Sequence, residues 1–176
     1  MMIVLPTSDD MIALAKIRAK KMPRLRNSIR NGGGNVVGCL GEIALNDLLI
    51  GDLVSHECID YDIMYRGGTK IEVKTKDTTV EPQADFEASL NNHNTKQRCD
   101  VYAFCRVKKD LSIAWLCGMI RKQNFLKQSR FLKKGQRDGS NGYIVKANCW
   151  NMYHYDLEIP QKLVEYAMER GFRVIE

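Results

Sequence analysis

The chain has 176 residues, 44% of them hydrophobic and 27% charged, which fits one globular domain with a real core and argues against a disordered or membrane-embedded chain. Its net charge of +6 and pI near 9.0 suit an anionic partner without identifying one. No apolar run is long enough to span a bilayer. Met1 to Leu5, followed by Pro6 and two aspartates, lacks the basic flank and long apolar stretch of a secretory signal, so a cytoplasmic location is expected, a host cytoplasm if the source is viral. The six cysteines form no C-x-x-C pair and several sit in apolar segments; they read as buried free thiols in a reducing compartment, neither a zinc knuckle nor a disulfide framework.

Ser8-Asp9-Asp10 is a helix cap, and the segment 8–30 continues as an Ala-, Lys- and Arg-rich helix interrupted near Pro23. Asn31-Gly32-Gly33-Gly34-Asn35 is the strongest break. A second helix is expected from Val36 to Leu49, where Val37, Leu40, Ala44 and Leu48 recur at helical spacing and Gly51 closes it. The period then changes to two. Ile59, Tyr61, Ile63 and Tyr65 alternate with Asp60, Asp62 and Met64; after Gly67-Gly68, Lys70, Glu72 and Lys74 alternate with Ile71, Val73 and Thr75. This is a β-hairpin that offers Tyr61, Ile63, Ile71 and Val73 to a core and its acids and lysines to the other side.

Pro82 to Arg98 reads as a polar helix or loop. Val101 to Val107 and Leu111 to Met119 read as two strands, 120–137 as a basic stretch with scattered aromatics, and Tyr143 to Tyr155 as strand-like. Pro160 opens a last helix that Gly171 stops. The order implies an α/β fold with a mixed sheet covered by helices.

Charge is concentrated in two runs: 16–30 carries seven cations, and 121–137 carries seven more, 14 of the 27 Lys and Arg residues together. Solvated helix faces often look the same, so charge alone favours a nucleic-acid partner only slightly.

Glu72-Val73-Lys74 is the only acid–any–lysine triplet in the chain, and alone it reads as a charge pair on an exposed sheet face. Context changes that reading. Glu72 and Lys74 share one side of a strand, and the hairpin brings Asp60 and Asp62 alongside. A two-residue turn at Gly67-Gly68 would pair Asp62 with Val73, the wrong parity. A three-residue loop, Arg66 to Gly68 with Gly68 left-handed, pairs Asp62 with Glu72. Two carboxylates on one face can hold Mg²⁺ or Mn²⁺, with the Val73 carbonyl as a further ligand, and Lys74 can orient an attacking water and offset charge on a phosphorus centre. Asp60 is the alternative ligand; Asp62 is preferred because it sits deeper in the strand.

Gly41-Glu42 in a helix, Asp62 at a strand and Glu72-Val73-Lys74 on the next strand resemble the PD-(D/E)XK nuclease superfamily, whose restriction-endonuclease-like core is a mixed sheet flanked by helices and whose members include restriction enzymes, junction resolvases, repair nucleases and phage nucleases. Tyr61 stands where the family name has proline. The resemblance implies one domain over 1–176, made of a basic helical extension at 1–31, a catalytic core at 36–119 and a variable C-terminal part at 120–176. It implies Asp62 and Glu72 as metal ligands, Lys74 as the water-orienting residue and Glu42 as an auxiliary ligand or water-holder. Glu42 points about 160° from Ala44 at about 100° per residue, which suits a solvated glutamate; the helix is apolar nearly all round, so its polar side can instead border the site. Asn94, Thr95, Lys96 and Gln97 lie where this fold often touches phosphate or an attacking water, with a helix-end cap as the competing reading. His93, beside Asn91 and Asn92, lacks the second histidine an HNH-type nuclease would need, and His56 and His154 receive no role.

The expectation is a Mg²⁺- or Mn²⁺-dependent endonuclease acting on DNA, with RNA left open. Lys20, Lys21, Arg24, Arg26, Lys96, Gln97, Arg121, Lys122, Lys127 and Arg130 are the expected nucleic-acid contacts. Many such enzymes dimerise to cut two strands, though no segment marks a dimer surface. A non-catalytic nucleic-acid-binding protein on the same fold, and an adaptor whose hairpin pairs with a protein, are the competing classes.

Overall fold

The structure, a computed structural model, describes residues 1–22, 35–55 and 57–176; the glycine break at 32–34 and His56 lie outside the described residues. In chain order the elements are β1 (Met2–Pro6), α1 (Asp9–Lys21), α2 (Asn35–Leu49), β2 (Asp52–Leu53), β3 (Ile63–Tyr65), β4 (Thr69–Thr78), β5 (Glu87–Asn91), β6 (Val101–Lys108), β7 (Ile113–Arg121), α3 (Lys122–Gln128), β8 (Arg130–Leu132), β9 (Cys149–Tyr153), α4 (Gln161–Glu169) and β10 (Val174–Ile175). A seven-stranded mixed sheet runs β10-β1-β7-β6-β4-β3-β2, and a three-stranded sheet runs β5-β9-β8. The fold is α/β, as the element order implies.

Within the large sheet only β4 and β6 run parallel. A parallel pair needs a crossover, usually a helix. Here the crossover carries β5 and a 3₁₀ turn, Asn92–Lys96, where a polar helix or loop is expected from sequence. Short, weakly apolar β5 becomes a strand because β9 supplies its partner. β9 is itself only the second part of the strand-like stretch 143–155.

The two faces of the large sheet are covered differently. On one, Ile63, Ile71, Val73, Ala103, Cys105 and Leu116 pack with Leu40, Ile43, Ala44 and Leu48 of α2, Ala15 of α1 and Ala167 of α4. On the other, Tyr102 and Phe104 of β6 pack with Phe125 of α3, Ala88 and Leu90 of β5 and Met152 of β9. Tyr61 joins this second cluster rather than the side of Ile63, with Lys70 Nζ 5.4 Å from its ring centroid.

The first 31 residues are more than a basic helical extension. Met2–Pro6 inserts between β7 and β10, with Ile3 and Leu5 buried on the helical side and Met2 and Val4 buried against Trp115 and Cys117. A strand buried on both faces shows a continuous apolar run and no alternation, so periodicity does not declare it. α1 starts as expected, with Ser8 Oγ accepting the Met11 N–H at 3.2 Å. After α2 the left-handed residue is Ile50, φ 50°, and not Gly51. Gly51 is needed for space: a Cβ there would stand 2.8 Å from Ile63 Cγ2 and 3.1 Å from the Met64 carbonyl oxygen. All six cysteines are free, four of them buried. Among the described residues no helix is long and apolar enough to cross a membrane.

Gly41 sets how near α2 lies to β4. A Cβ at this position would stand 2.1 Å from Thr75 Oγ1 and 2.8 Å from Thr75 Cγ2. Overpacking of this kind costs about 1–3 kcal/mol. Gly41→Ala is therefore expected to lower stability to urea by about that amount, and Thr75→Ala, which removes a buried hydroxyl without a partner, should recover most of the loss. Equal losses in both backgrounds would show that this contact does not set the spacing.

Candidate functional site

The hairpin register is the one the odd loop requires. Arg66–Gly68 joins β3 to β4 with Gly67 at φ 70° and Gly68 at φ 82°, a region that only glycine enters without strain. The pairs Tyr65↔Thr69, Met64↔Lys70 and Ile63↔Ile71 follow that parity, and at the next residue the ladder slips: the Asp62 N–H turns to the Ile71 carbonyl that Ile63 already faces, so Asp62 stands beside Ile71 and Glu72 as an extra residue. Asp62 lies one residue before β3, and its side chain explains where the strand begins. The Val73 N–H donates to Asp62 Oδ2 at 2.7 Å, a side chain in the place of a strand partner's carbonyl. The Asp62 main chain stays tied to its neighbours, its N–H donating to the Ile71 carbonyl at 2.9 Å and its carbonyl accepting from Val54 N–H at 3.0 Å. Both main-chain groups of a strand residue face the same neighbour, so the Val73 carbonyl also lies on the Asp62 side. Beyond Ile71 this edge of β4 has no strand partner among the described residues.

Glu72, 5% exposed, is tied to two side chains. Lys74 Nζ donates to its Oε1 at 2.5 Å and Gln97 Nε2 donates to the same oxygen at 2.7 Å. Lys74 also donates to Gln97 Oε1 at 3.1 Å, and Gln97 to the Ile59 carbonyl at 2.9 Å. Gln97 is both the residue that ends the 3₁₀ turn and a partner of the acid and the lysine, so the two readings of the 94–97 cluster meet in one side chain. Lys122 Nζ donates to the Gln97 carbonyl, which ties α3 to the same place.

Glu42 is not a solvated glutamate. Its side chain is 12% exposed and lies 3.7 Å from Arg18 Nη2, because α1 packs across α2 and covers the side that periodicity leaves polar. Burial, and then repulsion from Glu72, push the Glu42 carboxyl above the usual range, against the lowering pull of Arg18 and Lys74. Asp62 is pushed well above its usual range by burial, by Glu42 and by Glu72, against Lys74 and the Val73 N–H. Arg18 appears in the sequence only as one cation of a basic run. Folded, it reaches Glu42, donates from Nη2 to the Val54 carbonyl at 2.9 Å and leaves its buried Nε without a partner. No spacing signal marks it, since only the docking of α1 on α2 brings it here.

Asp60, the alternative ligand, turns away. It accepts Arg98 Nε at 2.8 Å and Arg98 N–H at 3.0 Å, because the chain is out of strand conformation before Ile63. The expected nucleic-acid contacts also divide. Lys20, Lys21, Lys96, Arg121 and Lys127 are exposed, whereas Lys122 and Gln97 are committed to the site. Arg130 is paired with Glu87 and lies 3.8 Å from Asp138, so it serves the small sheet rather than presenting a free cation. Arg24 and Arg26 lie outside the described residues.

The oxygens of Asp62, Glu72, Glu42 and Val73 are a hard donor set of the kind Mg²⁺ and Mn²⁺ prefer, and a divalent cation would offset both the burial of these carboxyls and the repulsion from their acidic neighbours. Each carboxylate is turned to its own partner: Val73 N–H, Lys74 with Gln97, or Arg18. Correspondingly, among the described residues no three acidic, histidine or cysteine side chains are closed around one point. Comparison of the chain with protein-family models and with curated proteins finds no match.

A raised Asp62 carboxyl has a sign for stability. The folded protein keeps a proton that the unfolded chain gives up, so stability falls as pH rises from the ordinary value of 3.8 through the raised one. Asp62→Asn, which retains an oxygen for the Val73 N–H, should melt above wild type at pH 7, by about 2–4 °C for each kcal/mol relieved in a chain of this size. The difference should shrink towards pH 4 in a series of thermal melts. A variant that melts lower at pH 7 would contradict the buried repulsion.

Proposed function

We propose that this protein is a divalent-metal-dependent nuclease of the restriction-endonuclease-like PD-(D/E)XK type, hydrolysing phosphodiester bonds in DNA. The observation that carries the reading is the convergence of Asp62, Glu72, Glu42 and Lys74 at an edge of β4 that has no strand partner among the described residues, with the Asp62 and Glu42 carboxyls raised chiefly by burial. A mixed sheet covered by helices supports the fold assignment.

Phosphodiester hydrolysis needs a nucleophilic water, a site for the charge that builds on the phosphoryl oxygens and a proton for the departing alcohol. Asp62, Glu72, Glu42 and the Val73 carbonyl would hold Mg²⁺ or Mn²⁺, which supplies Lewis acidity and a more acidic bound water. Lys74, kept in place by Glu72 and Gln97, offers an ammonium to the attacking water or to the charged oxygens. Arg18 holds Glu42 in the cluster, and Gln97 keeps Glu72 and Lys74 on one side of β4. Exposed Lys96, Arg121 and Lys127 would bind phosphates in a salt-dependent way.

Supercoiled, linear, branched and single-stranded DNA incubated with Mg²⁺, Mn²⁺ or EDTA test the reading. Metal-dependent cleavage is expected, with Glu72→Ala and Lys74→Ala each reducing it by about a hundredfold or more while DNA binding in EDTA persists. Undiminished cleavage by both variants would reject this site, and binding without any cleavage would favour a non-catalytic protein.

A further inference from the structure

A cleft of about 940 Å³ opens beside Lys74, between β4 and β6 of the large sheet and the small sheet with its 138–147 loop. Its walls are of two kinds. Lys74, Lys76 and Arg106 line it from the large sheet and Lys146 from the loop, whereas Ala88, Phe104 and Val145 give apolar surface. Tyr143, 52% exposed, is a further aromatic ring on its lining. Lys74 and Lys76, two residues apart on one side of β4, stand about 6.6 Å apart along the strand. Lys76 and Arg106 are register partners across the parallel pair, and both donate to the Glu87 carbonyl, at 3.4 and 2.9 Å.

Two more observations point to a ligand. His154 lines the same cleft, is 95% buried on a relative exposure of 5%, and its Nδ1 has no hydrogen-bond partner. A second cavity of about 410 Å³ shares Asn91, His93, Lys146 and Ala147 with the first, adds Lys96 and Lys134, and has no acid in its lining. The two acids of the larger cleft, Glu87 and Asp138, are engaged by Arg130, Ser140 and Asn151.

We infer that the cleft binds one unpaired polynucleotide strand, its phosphates following Lys74, Lys146 and Lys134 and its bases lying against Tyr143 and the apolar wall. A cationic track beside aromatic and apolar surface suits a strand whose bases are exposed. A duplex keeps its bases stacked inside and would present only phosphates to that apolar wall. Single-stranded nucleic acid, or the single-stranded arm of a branched one, is thus the substrate class. This rests on the nuclease reading for the chemistry, but not for the binding.

Fluorescence anisotropy in EDTA separates the two. Full-length protein is titrated with labelled single-stranded DNA, the same sequence as RNA, and the duplex, at fixed salt. Either single strand should bind at least tenfold tighter than the duplex, and the tighter of the two names the sugar. Lys134→Glu with Lys146→Glu, both exposed in the native protein, should weaken single-strand binding tenfold or more and lower the salt slope by about 1.4, two contacts at about 0.7 each. Tyr143→Ala should cost the single strand about fivefold or more and leave the duplex unchanged. Duplex binding as tight as single-strand binding, or single-strand binding indifferent to these variants at unchanged melting temperature, overturns the inference whether or not DNA is cut. Metal-dependent cleavage is scored separately, and its absence would refute the nuclease reading alone.

Discussion

Carboxylates that repel one another are held together inside this protein, and the surrounding structure is arranged to keep them there. Asp62 and Glu42 are raised by burial and by their acidic neighbours, and a buried charge without compensation is among the most costly features a fold can carry. Compensation comes from four directions: the Val73 N–H, Lys74, Gln97 and Arg18. Val73 and Lys74 belong to β4, Gln97 ends the 3₁₀ turn and Arg18 comes from α1. The site is therefore not a property of the hairpin alone, and it cannot assemble until α1 has docked on α2 and the 3₁₀ turn has closed on β4.

Glycines make that assembly sterically feasible. Gly67 and Gly68 turn the hairpin with an odd loop that brings Asp62 to the Ile71–Val73 stretch of β4. Gly41 allows α2 to lie against Thr75, which carries the next residue, Glu42, to the carboxylates. The same edge of β4 that lacks a strand partner beyond Ile71 among the described residues is where Asp62 takes over a main-chain hydrogen bond. Ending β3 early thus does two things: it leaves β4 open, and it turns an aspartate side chain into the edge of the sheet.

The large sheet also separates two environments. One face is sealed by α1, α2 and α4 over aliphatic side chains. The other is only partly covered, because the small sheet packs through Ala88, Leu90 and Met152 and leaves a cleft with cationic and apolar walls beside Lys74 and Lys76. Among the described residues, most of the cations that line this cleft lie outside the two basic runs. Lys76, Arg106 and Lys146 lie outside both runs, and Arg130, inside one, is spent on Glu87 and Asp138. Cation density along a sequence does not reveal which cations share a surface.

Much of the chain is legible by simple rules. The helical spacing of α2, the capping Ser8, the two-faced alternation of β4 and the odd, three-residue parity of the hairpin loop follow from local periodicity and turn chemistry, which need no distant partner. Tertiary structure alone decided the rest. β1 is hidden by being buried on both faces, and β5 exists because β9 pairs with it. Glu42 faces the cluster because α1 covers it, Arg18 arrives with that same helix, and Asp60 goes to Arg98 instead. Local sequence sets the period and hand of a segment within a few residues. Which polar groups end up buried together depends on contacts between residues far apart in the chain, and those exist only once the layers have packed.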